Sequence, residues 1–338
     1  MTGMRDVARL AGVSAKTVSR VFNNEEYVSG DVRARVTSAM KELNYLPNVT
    51  AKSFRTGRTS LLATAVPDLA DPFFGAITEA IDALAKEHGY ALAVTSLGED
   101  PTLEQNVVEA LLGHHVSGLI IAPVSSDQSY LDKWLKEIPI VFVDREPRGI
   151  SADVFVEDDR AGTLKAMRYL IKQGHQRIAF VGDSDQVVTS HRRFQGYQDA
   201  IEESGVAASG ELILWADPVD APQRVADLLR ASDPPTAIFS SNSRTSVEIV
   251  PMLQYLSRTD VALLSFGDFP MAAALSPAVT VVDQNPHLLG TVSAQRMIER
   301  LQQPSKRYRR RNVLNVELIE RDSSTQTLDA QLHRPTDA

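Results

Sequence analysis

Lys16, Thr17 and Arg20 stand close together just after Ser14, in the stretch GVSAKTVSRVF. A lysine and an arginine about one helical turn apart carry donors suited to guanine edges in a major groove, so Lys16 or Arg20 can read bases. Hydroxyl and amide groups suit phosphate oxygens, a role open to Ser14, Thr17, Asn23 and Tyr45. A second set of chemically able residues lies where apolar runs end: Asp71-Pro72-Phe73-Phe74, Ser96, Asp144-Arg145, Asp158, Asn242, Gly267-Asp268 and Gln284. Aromatic rings mixed with carboxylate, amide and guanidinium groups hold sugars or nucleosides, and the ends of parallel strands are where such ligands bind.

Two short helices and a third must position the first set. Val7, Ala8, Leu10 and Ala11 give one helix an apolar stripe, Gly12-Val13 breaks it, and Ser14 caps the next, on which Val18, Val21 and Phe22 face inward. Val32, Val36, Ala39, Met40 and Leu43 line a third helix that starts after Ser29, with Asp31 near its N-terminus. Helices this short do not persist alone in water. Sharing one seam, the first braces the second, which can then offer Ala15, Lys16, Ser19 and Arg20 outward, in a helix-turn-helix arrangement. The second set needs a different scaffold. The runs LLATAV, ALAVTS, GLIIAPV, PIVFVD, RIAFVG, ELILW, TAIFSSN, VALLSFG and VTVVDQ alternate with amphipathic stretches, which predicts parallel sheets flanked by helices. They exceed one comfortable sheet, so two doubly wound subdomains facing across a cleft are expected.

Composition supports this division. The chain has 338 residues, 43% hydrophobic and 23% charged, enough for two or three globular units. Residues 1–60 hold ten Lys/Arg against five Asp/Glu, a balance of +5, so in a chain of net charge −8 the remainder carries −13. A basic head on an acidic body fits a polyanion-binding module joined to a sensor. No apolar run approaches a membrane span and no secretory leader is visible, so a cytoplasmic protein with no membrane contact is expected. Cysteine is absent, which removes disulfides and thiolate sites. No G-x-S-x-G, G-x-G-x-x-G or H-E-x-x-H occurs, and Ala15-Lys16-Thr17 is no phosphate loop because Leu10 and Ala15 stand where that motif needs glycine. His114-His115 reads as a helix end, the basic run at residues 306–311 as a solvated loop before a strand VLNVEL, and residues 322–338 as a flexible tail. No enzyme, cofactor or metal is expected.

These segments carry a resemblance. RDVARLAGVSAKTVSRVFNN, YVSGDVRARVTSAMKELNYLPN and AKSFRTGRTSLLATAVPDLADPFF resemble the start of the LacI/GalR (lactose-repressor) family of transcription regulators. HVSGLIIAP, IPIVFVDR, QGHQRIAFVG, RRFQGYQDAI, PTAIFSSN and LSPAVTVVDQ continue it, over roughly residues 3–321. The resemblance implies an all-α helix-turn-helix head at 1–47, a hinge helix and linker at 48–59, and an α/β body at 60–321 of the periplasmic-binding-protein-like type I fold. The body's N-subdomain would span about 60–158 and 285–312, and its C-subdomain about 159–284 and 313–321. Ala15, Lys16 and Arg20 match base-reading positions, Asn23 and Tyr45 phosphate contacts, and Asn48, Ala51 and Phe54 the hinge, where Phe54 replaces the family's leucine wedge. Phe73, Phe74, Asp144, Arg193, Asn242 and Gln284 match positions of the effector pocket. A homodimer on near-palindromic double-stranded operator DNA follows, controlled by a sugar-like or nucleoside-like small molecule; a sensor working through protein contacts is the other reading.

Three departures stand out. Gly3 replaces a capping threonine, Asn242-Ser243 an Asn-Asp pair, and Gly267-Asp268 an Asp-Asp pair. With those acids gone and Arg145, His191, Arg192 and Arg193 nearby in the chain, an anionic effector such as a sugar phosphate or carboxylate is the alternative to a neutral one.

Overall fold

A computed structural model describes residues 3–22, 27–43, 61–206 and 209–324. The chain forms two compact units, Met1–Thr59 and Ser60–Ala338.

The first unit contains α1 (Met4–Ala11), α2 (Ala15–Phe22) and α3 (Gly30–Glu42). Val7, Ala8, Ala11, Val18, Val21, Val36 and Ala39 are buried together, with Met4, Val13, Val32, Met40 and Leu43 packed around them, so the expected seam is present except for Leu10, which is 46% exposed on the outer side of α1. Gly12 turns the corner in the left-handed region (φ 67°), which a side chain would resist, and donates to Arg9 O at 3.3 Å. Ser14 caps α2, its Oγ accepting from Thr17 N at 3.1 Å. Gly3 brings no cap side chain to α1, but its N–H donates to Asp6 Oδ2 at 2.9 Å, half of the reciprocal box a threonine would complete.

The second unit is built on two six-stranded sheets. The first contains β1 (Leu61–Val66), β2 (Ala91–Ser96), β3 (Leu119–Ile121), β4 (Ile140–Val143), β5 (Asp153–Glu157) and β11 (Arg311–Leu314), in the order β11-β5-β4-β3-β1-β2 and all parallel. It is flanked by α4 (Pro72–Glu87), α5 (Pro101–Leu112) and α10 (Pro286–Gln302). The second contains β6 (Ile178–Gly182), β7 (Ile213–Trp215), β8 (Ala237–Ser240), β9 (Ala262–Phe266), β10 (Thr280–Asp283) and β12 (Glu317–Ile319), in the order β12-β10-β9-β8-β6-β7. Its helices are α6 (Asp159–Lys172), α7 (Val188–Ser204), α8 (Ala221–Leu229) and α9 (Ser243–Tyr255). Each sheet is apolar on both faces, as helix-covered parallel strands must be. Helix pairs close in through glycine: a Cβ on Gly290 of α10 would lie 2.5 Å from Ile77 O, and one on Gly196 of α7 2.4 Å from Arg160 O.

The chain passes between the sheets three times, after β5, after β10 and after β11. Three expectations need correction here. The run VLNVEL is not one strand: β11 ends at Leu314 and β12 begins at Glu317 in the other sheet, slightly later than the expected boundary at 312/313. Leaving one sheet at the carboxyl end of its strands and joining the other from that same side forces β12 to run antiparallel to β10, so the second sheet is mixed. DVFVE, absent from the expected strands, forms β5.

The expected tail, in turn, does not begin at 322. Asp322–Ser324 forms a buried turn. Ser323 Oγ donates to Leu263 O at 2.6 Å and accepts from Thr280 N at 2.8 Å, and Ser324 Oγ bonds Tyr169 OH at 2.9 Å and Thr280 Oγ1 at 2.6 Å. Among the described residues, no helix is long and apolar enough to cross a membrane.

Candidate functional site

On the first unit, Lys16 and Arg20 are exposed on α2, while Ser19 and Thr17 are half-buried. Ala15 is half-buried against the apolar seam, so only a small part of its methyl is presented at the helix start. Ser14 and Thr17 hydroxyls meet at 2.9 Å, and Ser14 is partly committed to the cap already described. Among the described residues of this unit, Asp6 pairs with Arg9 on α1, and Asp31 with Arg35 on α3 at 3.3 Å. Asn23, Tyr45, Asn48, Ala51 and Phe54 lie outside the described residues.

On the second unit, a cavity of about 500 Å³ opens at the carboxyl ends of the strands, between the two sheets. All six expected pocket residues line it: Phe73, Phe74, Asp144, Arg193, Asn242 and Gln284. Asp71 caps α4 by accepting from Phe73 N at 2.9 Å, and this fixes the two aromatic rings edge to face with centroids 5.1 Å apart. Phe74 also belongs to the first sheet's core, whereas Phe73 is partly exposed in the cavity. Asn242 caps α9, its Oδ1 accepting from Thr245 N at 2.7 Å; its amide NH₂ is then the end available to a ligand. Gln284 follows β10, its Nε2 3.4 Å from Glu157 Oε1.

The floor of the cavity is charged and buried. Arg193 is only 5% exposed; its Nε donates to Asp159 Oδ1 at 2.7 Å, its Nη1 to Ser241 O at 2.8 Å, and its guanidinium lies 4.0 Å from the centre of the Phe266 ring. Asp144 adopts a left-handed backbone (φ 66°), held by its N–H to Phe155 O at 2.9 Å, with Arg145 Nε 3.3 Å from its Oδ2. Burial pushes the Asp144 carboxyl up, against the pull of Arg145 and Arg193. Burial pushes Asp159 up to about 6 even though Arg193 touches it. Burial, reinforced by the charges of Asp144 and Asp159, raises Glu157 well above the ordinary glutamate value.

Other expected residues serve local structure instead. Ser96 Oγ accepts from Leu69 N at 3.1 Å, and Asp158 caps α6 through Ala161 N at 3.2 Å. Asp268 is clasped by Arg321 at 2.6 Å. At Gly267 the backbone is left-handed (φ 93°), and a Cβ would stand 3.0 Å from Gln284 Oε1, so the missing acid leaves the space that Gln284 fills.

The anionic alternative loses its support. Asp68, Asp71, Glu99, Asp144, Asp183 and Asp217 line the cavity against only Arg145, Arg193 and Arg244. Arg193 is held by Asp159, and Arg244 by an ion pair with Glu99 across the two sheets. His191 and Arg192 do not line it; Arg192 is paired with Glu146 at 2.9 Å. Asp68, Asp183 and Asp217 accept from backbone N–H groups, Asp183 also from the Ser190 hydroxyl, and none of the three is in an ion pair among the described residues. These three and Arg244 were not among the expected residues, although Asp183 directly follows the run RIAFVG and Asp217 stands one residue beyond ELILW, where the same strand-end rule applies.

Residues 3–48 match the family described as bacterial regulatory proteins, lacI family, and residues 167–324 match the periplasmic binding protein-like domain. The chain is 30% identical to the HTH-type transcriptional regulator GalR of Escherichia coli (strain K12) over 344 residues, covering 100% of both. It is 30% identical over 315 residues to a ribose operon repressor of Halalkalibacterium halodurans, covering 91% of this chain and 93% of that one. Among solved structures it resembles the lac repressor dimer bound to operator and the anti-inducer ONPF, with a TM-score of 0.82 and 25% identity over 96% of this chain and 99% of that one.

Proposed function

The chain belongs to the lacI family of bacterial regulatory proteins, and on that footing we propose how this DNA-binding transcriptional regulator is switched. Its head reads operator DNA through Ala15, Lys16 and Arg20, with Ser14, Thr17, Asn23 and Tyr45 on phosphates and Asn48, Ala51 and Phe54 acting at the hinge. We place the head at about residues 1–47, the hinge helix and linker at about 48–59 and the body from about residue 60. The working form is a cytoplasmic homodimer on a near-palindromic site, because paired readers related by twofold symmetry require paired half-sites.

The cleft takes an uncharged sugar or nucleoside. Phe73 offers a ring to the apolar face of such a molecule, while Asp144, Asn242, Gln284 and Arg193 supply directional acceptors and donors for its hydroxyls. A phosphate or carboxylate would enter a cavity with twice as many acids as guanidinium groups. A ligand that bonds residues of both sheets prefers one angle between them. A difference in affinity of about 1 to 3 kcal/mol between the two arrangements changes operator binding about 5- to 150-fold.

The observation carrying this reading is that six residues from both sheets, scattered from 73 to 284, meet in one cavity. The test is a thermal-shift screen of neutral sugars, nucleosides and their phosphorylated forms, followed by duplex binding with each hit. Neutral molecules should raise Tm and alter DNA affinity. Stabilisation by phosphorylated compounds alone would overturn the ligand class, and failure to bind any duplex would overturn the regulator.

A further inference from the structure

The basic loop before β11 is part of the body yet resembles nothing needed for the cleft. Lys306, Arg307, Arg309 and Arg310 are exposed, and none pairs with an acid among the described residues. The loop is nonetheless built. The Tyr308 ring is flanked by the guanidinium groups of Arg296 and Arg300 of α10, at 4.6 and 4.7 Å. Those same arginines donate to the carbonyls of Arg309 and Lys306, at 3.0 and 3.1 Å, while Asp153 holds both from behind. Asn312 Nδ2 donates to Arg309 O and Arg310 O at 3.2 and 3.1 Å. The nearby acids Asp153, Glu299 and Glu146 are all engaged by arginines. The backbone is pinned inward; Arg310 donates to Ser151 O at 3.1 Å and Lys306 lies over the Tyr308 ring, while the exposed Arg307 and Arg309 are the cations best placed to meet an anion.

Its position gives the partner. β11 and β1 are parallel strands of one sheet, so the loop before Arg311 lies at the same sheet end as Leu61, where the chain enters the body from its DNA-binding unit. Four strand spacings separate them, about 19 Å in the plane of the sheet. Resting on the DNA-binding reading above, we infer that this loop is a second, sequence-independent contact to the phosphate backbone of DNA bound by the chain. A body carrying −13 overall would otherwise repel that backbone, and the exposed basic loop, with Arg307 and Arg309 foremost, offsets this at its end of the sheet.

The test uses the full chain and a random duplex of about 40 base pairs, read by fluorescence anisotropy across a salt series. Arg307→Gln with Arg309→Gln should lower the slope of log K against log salt by about 1.8, since each phosphate contact contributes about 0.9. Arg307→Lys with Arg309→Lys should restore it, because counterion release follows charge. Neither side chain bonds the loop, so both variants should melt like the parent. An unchanged slope in the glutamine variant overturns the inference, including the case where the loop instead captures an acidic protein. A parent chain that binds no duplex at all overturns the regulator reading itself.

Discussion

Replacing Arg193 by methionine isolates what the buried guanidinium does. The change keeps a flexible apolar stem over Phe266 but removes the partner of Asp159, which is fully buried, together with the bond to Ser241 O. Deleting one member of a buried pair costs about 3 to 5 kcal/mol when the other stays charged. Asp159 has an exit, because its carboxyl sits at about 6 even with Arg193 present and rises further without it. Near pH 5.5 the carboxyl in the variant is protonated, and the residual loss is that of one charge-assisted hydrogen bond and the ring contact, about 2 kcal/mol. Between the parent's value of about 6 and pH 8 the variant keeps a proton that the parent has released, at about 1.4 kcal/mol per pH unit, so the loss should reach about 4 to 5 kcal/mol. Urea denaturation at both pH values gives the two numbers. Asp159→Asn added to Arg193→Met should remove most of the pH-dependent part. Equal losses at both pH values, or no rescue in the double variant, would refute this account of the floor.

Two further outcomes follow from the same structure. Glu157 is raised in the folded state, so it binds a proton that the unfolded chain has already released; stability should fall as pH climbs from the ordinary glutamate range toward the raised value. Glu157→Gln should flatten that fall and gain on the parent at alkaline pH in a chemical-denaturation series. In the head, Arg20→Ala and Lys16→Ala should each weaken the preferred duplex by about 1 to 3 kcal/mol and relax preference at one base pair; both are read by competition binding.

The head was legible because its signals are local: a glycine corner, a serine cap and apolar residues at helical spacing all lie within 43 residues. Most strands were legible as apolar runs. β5 escaped because its buried ends are Asp153 and Glu157, and Asp153 is tolerated only through Arg296 and Arg300, far along the chain. VLNVEL was misleading for a related reason: periodicity carries across a crossing that only the partner strands define. The cavity's six shared residues were found from the family pattern and the strand-end rule together. The charge balance was misjudged because Arg192 and Arg193 are neighbours in sequence but about 100° apart around α7, so one faces the cavity floor and the other Glu146. Ser323 and Ser324 gave no signal, since their partners are backbone and hydroxyl groups of remote strands and of α6.

Asp71 and Asn242 each do two jobs, facing the cavity and starting a helix, and Asp217 similarly holds the turn before α8. Exchanging any of them to suit a new molecule would weaken that element by about 1 kcal/mol. Drift in preference among descendants of this protein should therefore run through Val124, Gln186 or Pro218, which border the same space while capping nothing. The scaffold thereby steers which positions evolution can try first.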